Sequence, residues 1–253
     1  MVVALFSLSR LGYTVMMLSP RLSASACVSL LDQVGCRTVL YGQTDPVRDI
    51  VAGVSRLMSI ACHPTRPSSR DTEAGQNTVA QTLGEGLPQI NDSDIAVILH
   101  SSGSTGTPKP LYLSHRVLVS QARIGPGWSA FNTLPWYHGY GLATALQAMY
   151  RRKTAFGWDT SLPITGRALV AALQEAQPES MHCVPYVLQL LVDEPDGIRI
   201  LQACQLVTFG GAACPDQLGD RLVAEGVRFG GLFGSHVIPI PPPSHSLAAP
   251  EAG

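Results

Sequence analysis

Short apolar runs alternate along this chain with stretches whose apolar positions recur at three- and four-residue spacing, and Gly, Pro or Ser marks each switch. That rhythm predicts βαβ units: an α/β chain with largely parallel sheets layered between helices. Strands are expected at 14–18, 38–41, 95–99, 154–158, 181–184, 206–209 and 227–232, and helices at 23–34, 46–59, 114–123, 141–150, 166–176, 186–192 and 216–224. Ser23 suits the N-cap of its helix, with Ala26, Leu30 and Leu31 on one face, and Gly12 suits the position just past the end of a preceding helix. The clearest amphipathic stripe is Leu169, Ala172, Leu173 and Ala176.

Two stretches break the rhythm. From Cys62 to Asp92 the chain is rich in Pro, Ser, Thr, Gly and Asn and has no apolar period, which predicts a long surface connection. Residues 236–253 form a Pro/Ala/Ser tail that cannot pack and is expected to be disordered. The first residues read as the inside of a packed helix.

Composition narrows the partners. The 253 residues are 45% hydrophobic and carry 17 Lys plus Arg against 18 Asp plus Glu, so no clustered basic excess points to nucleic acid. The cluster Arg151-Arg152-Lys153 is short and reads as a solvated face. No run approaches the roughly 18 apolar residues of a membrane span, and the apolar N-terminus lacks the basic region and cleavage site of a secretory signal. Six cysteines lie scattered without CxxC spacing, four of them in apolar surroundings, and read as reduced buried thiols. A soluble, cytoplasmic protein is expected.

The densest chemistry follows the apolar run at 95–99. Ser101, Ser102, Gly103, Ser104, Thr105, Gly106, Thr107, Pro108 and Lys109 set hydroxyls, two glycines and a lysine between a predicted strand and a predicted helix. A phosphate chain needs this combination. Glycines let backbone N–H groups turn inward, hydroxyls donate further hydrogen bonds, and an ammonium offsets charge. The spacing departs from the GxxxxGK[ST] loop, no GxGxxG follows a strand, and no hydrolase or metalloprotease signature is present. His100 and His115 flank the loop, and His115 reads as a cap or surface residue at the start of a helix.

The string Ser101 to Lys109 resembles the signature phosphate loop of the adenylate-forming superfamily, which includes acyl-CoA synthetases, luciferases and the adenylation domains of nonribosomal peptide synthetases. Pro110 departs from it, standing where the family carries glycine; it stiffens the end of the loop without removing a phosphate donor. Leu134-Pro135-Trp136-Tyr137-His138-Gly139 resembles the family's aromatic-His-Gly segment, and Phe209-Gly210-Gly211-Ala212-Ala213 its Gly-Gly-Ala strand end. The opening, Leu11-Gly12-Tyr13-Thr14 to Ser19-Pro20-Arg21-Leu22, is similar to fungal reductase-type and synthetase-like adenylation domains. The likeness runs over about residues 3–235.

The resemblance implies a layered αβα fold forming part of the family's large domain, and a ligase that spends ATP with Mg2+ to activate a carboxylic acid. It places the phosphates on Ser102, Ser104, Thr105, Thr107 and the loop N–H groups, with Lys109 offsetting their charge. Trp136, Tyr137 and Gly139 would line the acid pocket, His138 would lie near the carboxylate, and Gly210, Gly211 and Ala212 would pack on adenine. The thiol of CoA or of a carrier protein would take the acyl group. Phe233-Gly234-Ser235 begins the family's Tyr-Gly-x-Thr-Glu segment, but His236-Val237 replace the Thr-Glu pair whose glutamate helps hold magnesium. With nothing resembling the ribose-binding aspartate or the C-terminal domain, the chain is expected to be a truncated copy, weakly active or inactive alone. The alternative expectation is a non-catalytic nucleotide-binding or scaffold remnant.

Overall fold

The computed structural model describes residues 2–65, 86–101, 108–159 and 162–232. They fall into two compact units, one up to Ser114 and one from His115 onward.

In the first unit, α1 (Val2–Arg10) ends where the sequence predicts, at Gly12 with φ +82°. The Tyr13 N–H donates to the Leu8 carbonyl (3.0 Å) and that of Gly12 to Ser9 (3.0 Å), which satisfies two carbonyls of the last turn. The left-handed conformation is the one a glycine tolerates. β1 (Val15–Met16) then pairs parallel with β4 (Ile95–His100). The Ser23 hydroxyl caps α2 (Ala24–Gln33) by accepting from the Ala26 N–H at 3.2 Å. The buried face of α2 is Cys27, Leu30 and Leu31, with Cys27 in the place expected for Ala26. α2 packs against α3 (Asp45–Leu57), and β2 (Thr38–Tyr41) pairs parallel with β3 (Ala61–Pro64).

Two strands in this unit were not expected. β3 occupies the start of the stretch predicted as a connection, because Ala61, Cys62 and His63 are short enough of apolar pattern to read as loop yet complete a ladder with β2. β5 (Pro110–Ser114) runs antiparallel to β4, with His100 opposite Pro110 and Ile98 opposite Tyr112. Proline is tolerated there because it opens an edge strand.

The second unit is a five-stranded, wholly parallel sheet in the order β10-β9-β8-β6-β7. Its strands are β6 (Ala130–Asn132), β7 (Ala155–Gly157), β8 (Ser180–Cys183), β9 (Leu206–Phe209) and β10 (Phe229–Gly231). α4 (His115–Ile124) precedes β6, α5 (Gly139–Tyr150) joins β6 to β7, and α6 (Gly166–Ala176) joins β7 to β8. α7 (Pro185–Val192) and α8 (Gly197–Ala203) lead to β9, and α9 (Asp216–Ala224) leads to β10. β6 and α8 are too short for a period to show and were not foreseen, although β6 is central to the sheet.

Alternation divides the sheet chemically. Phe131, Met181, Cys183 and Val207 join Leu169 and Leu173 of α6 and Leu188 and Leu191 of α7 in one apolar core. Asn132, Ser180, His182 and Thr208 alternate with them, and Asn132 and Thr208 bond to residues of α5. The predicted stripe of α6 is thus core, while Ala172 and Ala176 are only half-buried. Its Thr165 cap accepts from the Ala168 N–H at 3.3 Å. Thr165→Ala is expected to lower the denaturation free energy by about 1 kcal/mol with an unchanged denaturant slope, as urea unfolding would show. All six cysteines are free; Cys27, Cys183 and Cys204 are buried and the other three half-buried, one fewer in the core than expected.

Candidate functional site

The Ser/Thr/Gly loop does not lead from a strand into a helix, as its sequence context suggests, but joins the antiparallel strands β4 and β5. The reason is the segment Leu111-Tyr112-Leu113, which extends the ladder before α4 begins at His115. The helix N-terminus therefore sits beyond β5 and supplies no dipole to the loop. Residues 102–107 lie outside the described residues, so the predicted roles of Ser102, Gly103, Ser104, Thr105, Gly106 and Thr107 fall there.

The base of the loop is described and firmly closed. The Ser101 N–H donates to the Lys109 carbonyl (2.9 Å), and the Lys109 N–H donates to the Ser101 hydroxyl (3.1 Å). Lys109 is exposed, so its ammonium is available to an anion. Behind the base, buried His100 accepts the Ser19 N–H at Nε2 (3.1 Å) while Nδ1 lies 3.3 Å from the Ser101 carbonyl. Accepting at Nε2 leaves the proton on Nδ1, and burial favours this neutral form by lowering the imidazole pKa. His100 thus ties strand β4 to Ser19 and helps hold the loop's entry.

In the second unit the strand order places a reversal between β6 and β8. The chain passes from β6 to β7 on one side and then returns to build β8, β9 and β10 on the other. In open α/β sheets the crevice outside the carboxyl ends of the strands at such a reversal is the ligand site. Two predicted segments lie on this edge. Residues 133–138 leave β6 and turn into α5, where His138 is the N-cap residue (φ −101°, ψ 135°). Gly210 and Gly211 leave β9.

Each segment is shaped by its residues. Tyr137 is buried, Trp136 half-buried and His138 exposed, with the Tyr137 and His138 rings 4.7 Å apart and tilted by 55°. The His138 N–H donates to the Pro135 carbonyl (3.0 Å), fixing a tight turn ahead of Gly139. Gly210 donates to the Cys183 carbonyl (3.1 Å), and a Cβ there would lie 3.1 Å from both the Leu232 carbonyl oxygen and the Tyr140 ring. Gly211 has φ +82° and, with Ala212, is exposed, leaving bare backbone at the sheet edge against which a flat ring could lie.

Below this edge lies a polar layer that motif reading missed. Asn132, His182 and Thr208 stand in register across β6, β8 and β9. His182 Nδ1 lies 2.6 Å from the Thr208 hydroxyl, which also meets the Tyr140 hydroxyl, and His182 Nε2 lies 3.2 Å from the Ser180 hydroxyl. Asn132 donates to the Gly141 carbonyl (3.1 Å) and the Thr144 hydroxyl, and accepts the Leu134 N–H at 2.8 Å. Burial holds the His182 pKa down to about 4 and pushes the Tyr140 hydroxyl up, so both are neutral at pH 7. The signal in the sequence was the polar residues in alternate positions of otherwise apolar strands: Ser180 and His182 around Met181, and Thr208 between Val207 and Phe209.

The structure thus brings His138, Gly139, Trp136, Tyr137, Gly210, Gly211 and Ala212 to the carboxyl edge of one sheet, and Ser101 and Lys109 to the base of one loop in the other unit. Among the described residues no group of three or more His, Cys, Asp or Glu could hold a metal ion, and no helix is long and apolar enough to cross a membrane.

The AMP-binding enzyme family matches residues 1–235. An adenylate-forming reductase of Stachybotrys bisbyi is 29% identical over 245 residues, covering 93% of this chain and 23% of its own length. Another from Aspergillus terreus is 28% identical over 248 residues, covering 93% of this chain and 23% of its own. The chain spans about a quarter of the length of these relatives. Two solved structures share the fold. A luciferase-like enzyme from the mealworm Zophobas morio matches with a TM-score of 0.70 and 20% identity, covering 91% of this chain and 56% of that one. A benzoate CoA ligase from Burkholderia xenovorans matches with a TM-score of 0.68 and 21% identity, covering 92% and 48%.

Proposed function

Because this chain belongs to the AMP-binding enzyme family, we propose that it takes part in activating a carboxylic acid as its acyl-adenylate at the expense of ATP. The observation that carries the reading is the meeting of 133–139 with Gly210 and Gly211 at the carboxyl edge where the parallel sheet reverses. A carboxylate oxygen would attack the α-phosphorus, and the bond from that phosphorus to pyrophosphate would break as the acyl–phosphate bond forms. The protein's contribution is to position two anions and stabilise their charge.

The roles follow the chemistry of each group. Exposed Lys109 and the hydroxyls of Ser101, Ser102, Ser104, Thr105 and Thr107, with the N–H groups at Gly103 and Gly106, would hold the β- and γ-phosphates. Gly210, Gly211 and Ala212 would carry the adenine. His138 at the crevice mouth would orient the carboxylate, beside the surface made by Trp136, Tyr137 and Gly139. Mg2+ fits as a companion of the ATP phosphates, since it takes few protein ligands and the described residues offer no acidic cage. A thiol of CoA or of a carrier protein would accept the acyl group, and the reductases among the relatives suggest a reductive step after it.

ATP binding followed by calorimetry, together with acid-dependent pyrophosphate exchange over a panel of aryl and alkyl acids, tests this reading. Exchange is expected to be weak, because His236-Val237 stand where the family carries Thr-Glu. Lys109→Ala is expected to raise the Kd for ATP about tenfold, the worth of one charge-assisted contact. An unchanged Kd in that variant would remove the loop from its phosphate role.

A further inference from the structure

We propose that the acid this chain selects bears a neutral hydroxyl group, received by the buried layer of Ser180, His182, Thr208, Tyr140 and Thr144 beneath the sheet's carboxyl edge. The inference rests on the adenylation reading and names the substrate class of that site.

The layer is costly unless it is used. A parallel sheet covered on both faces ordinarily buries apolar side chains on both. Here the face toward α5 sets Asn132, His182 and Thr208 side by side across three adjacent strands, all less than a tenth exposed. Aliphatic residues would fill the same volume without desolvating imidazole and hydroxyl groups. The opposite face of the same strands, with Phe131, Met181 and Val207, shows the apolar solution in place.

Position selects the ligand's far end. His182 lies two residues before Val184, where β8 gives way to α7, so its side chain sits roughly 7 Å of strand below the edge. That is about the reach of a benzoate from its carboxylate to the opposite edge of its ring. Tyr140 spans the same depth, since it leaves the first turn of α5 and its hydroxyl reaches Thr208. On the other side of His182 a cavity of about 10 Å³, lined in part by Thr144, Ser180, Gln147 and Trp128, has room for one oxygen atom.

Chemistry selects the group. Ser180, His182, Thr208 and Tyr140 form one hydrogen-bonded chain in which each hydroxyl rotates and the imidazole exchanges tautomers. Such a chain can offer a donor or an acceptor to a guest, which suits a hydroxyl because it is both. It contains no charged partner, so a second carboxylate or an ammonium would be buried unpaired and is rejected. An unsubstituted ring would leave the layer satisfied but would gain nothing from it.

The test uses the whole chain and two non-hydrolysable acyl-adenylate analogues, benzoyl- and 4-hydroxybenzoyl-sulfamoyl adenosine, with affinities read by calorimetry. The hydroxylated analogue is expected to bind about tenfold more tightly, one hydrogen bond's worth. In His182→Leu and, separately, Thr208→Val, the preference should fall toward unity while the benzoyl analogue binds as before. Equal affinity for the two analogues in the unsubstituted chain would overturn this inference and leave the adenylation reading standing. Failure of both analogues to bind would overturn the adenylation reading and this inference with it.

Discussion

Gly141→Ala is expected to destabilise the second unit by about 3 kcal/mol, even though alanine is the better helix former by about 1 kcal/mol. Gly141 lies in the first turn of α5, and a Cβ there would stand 2.4 Å from the Pro135 carbonyl oxygen and 2.7 Å from that of Leu134. Both obstacles are backbone, so the turn carrying Trp136, Tyr137 and His138 must move away from the helix. The Gly141 carbonyl is also held by Asn132, so the helix cannot easily retreat. Urea unfolding should show the loss, and affinity for an acyl-adenylate analogue should fall with it. A variant stabilised by the propensity gain would show that the turn is not clamped on α5 as described.

Acidification should weaken the fold through His182. Its folded pKa is held to about 4 by burial, against an ordinary value of 6.5, so between these values the unfolded chain binds a proton that the folded chain refuses. The contribution is therefore complete above pH 6.5 and is lost as pH falls toward 4, amounting to about 3 kcal/mol at the end of that window. Denaturation series at pH 7, 5.5 and 4 should show this slope in the natural chain. His182→Leu has no proton to take up, so its slope should be shallower by that amount. Parallel slopes would mean that His182 accepts its proton without disturbing the polar layer.

Where the chain repeats, its fold was legible. The stripe of α6, the Ser23 cap, the Gly12 terminus and the apolar runs of β4 and β9 all follow from local chemistry that tertiary contacts did not override. Short or mixed elements were hidden. β6 has three residues and ends in Asn132, and β5 opens on a proline, so neither carries a period, yet one is central to its sheet and the other turns the phosphate loop into a hairpin connection. The site followed the same division. Trp136, Tyr137, His138, Gly210 and Gly211 were visible as neighbours in sequence and reach one sheet edge. His182, Thr208, Thr144 and Asn132 are scattered through the chain and become a layer only when β6, β8 and β9 align.

The claim on which the rest depends is that nucleotide and acid are held together as an adenylate. It is tested most directly by titrating this chain with AMP, with benzoate and with benzoyl-sulfamoyl adenosine, and comparing the three affinities. The joined molecule is predicted to bind at least a hundredfold more tightly than AMP, because one association cost is shared by two sets of contacts. Affinity for the joined molecule no greater than for AMP alone would contradict the account.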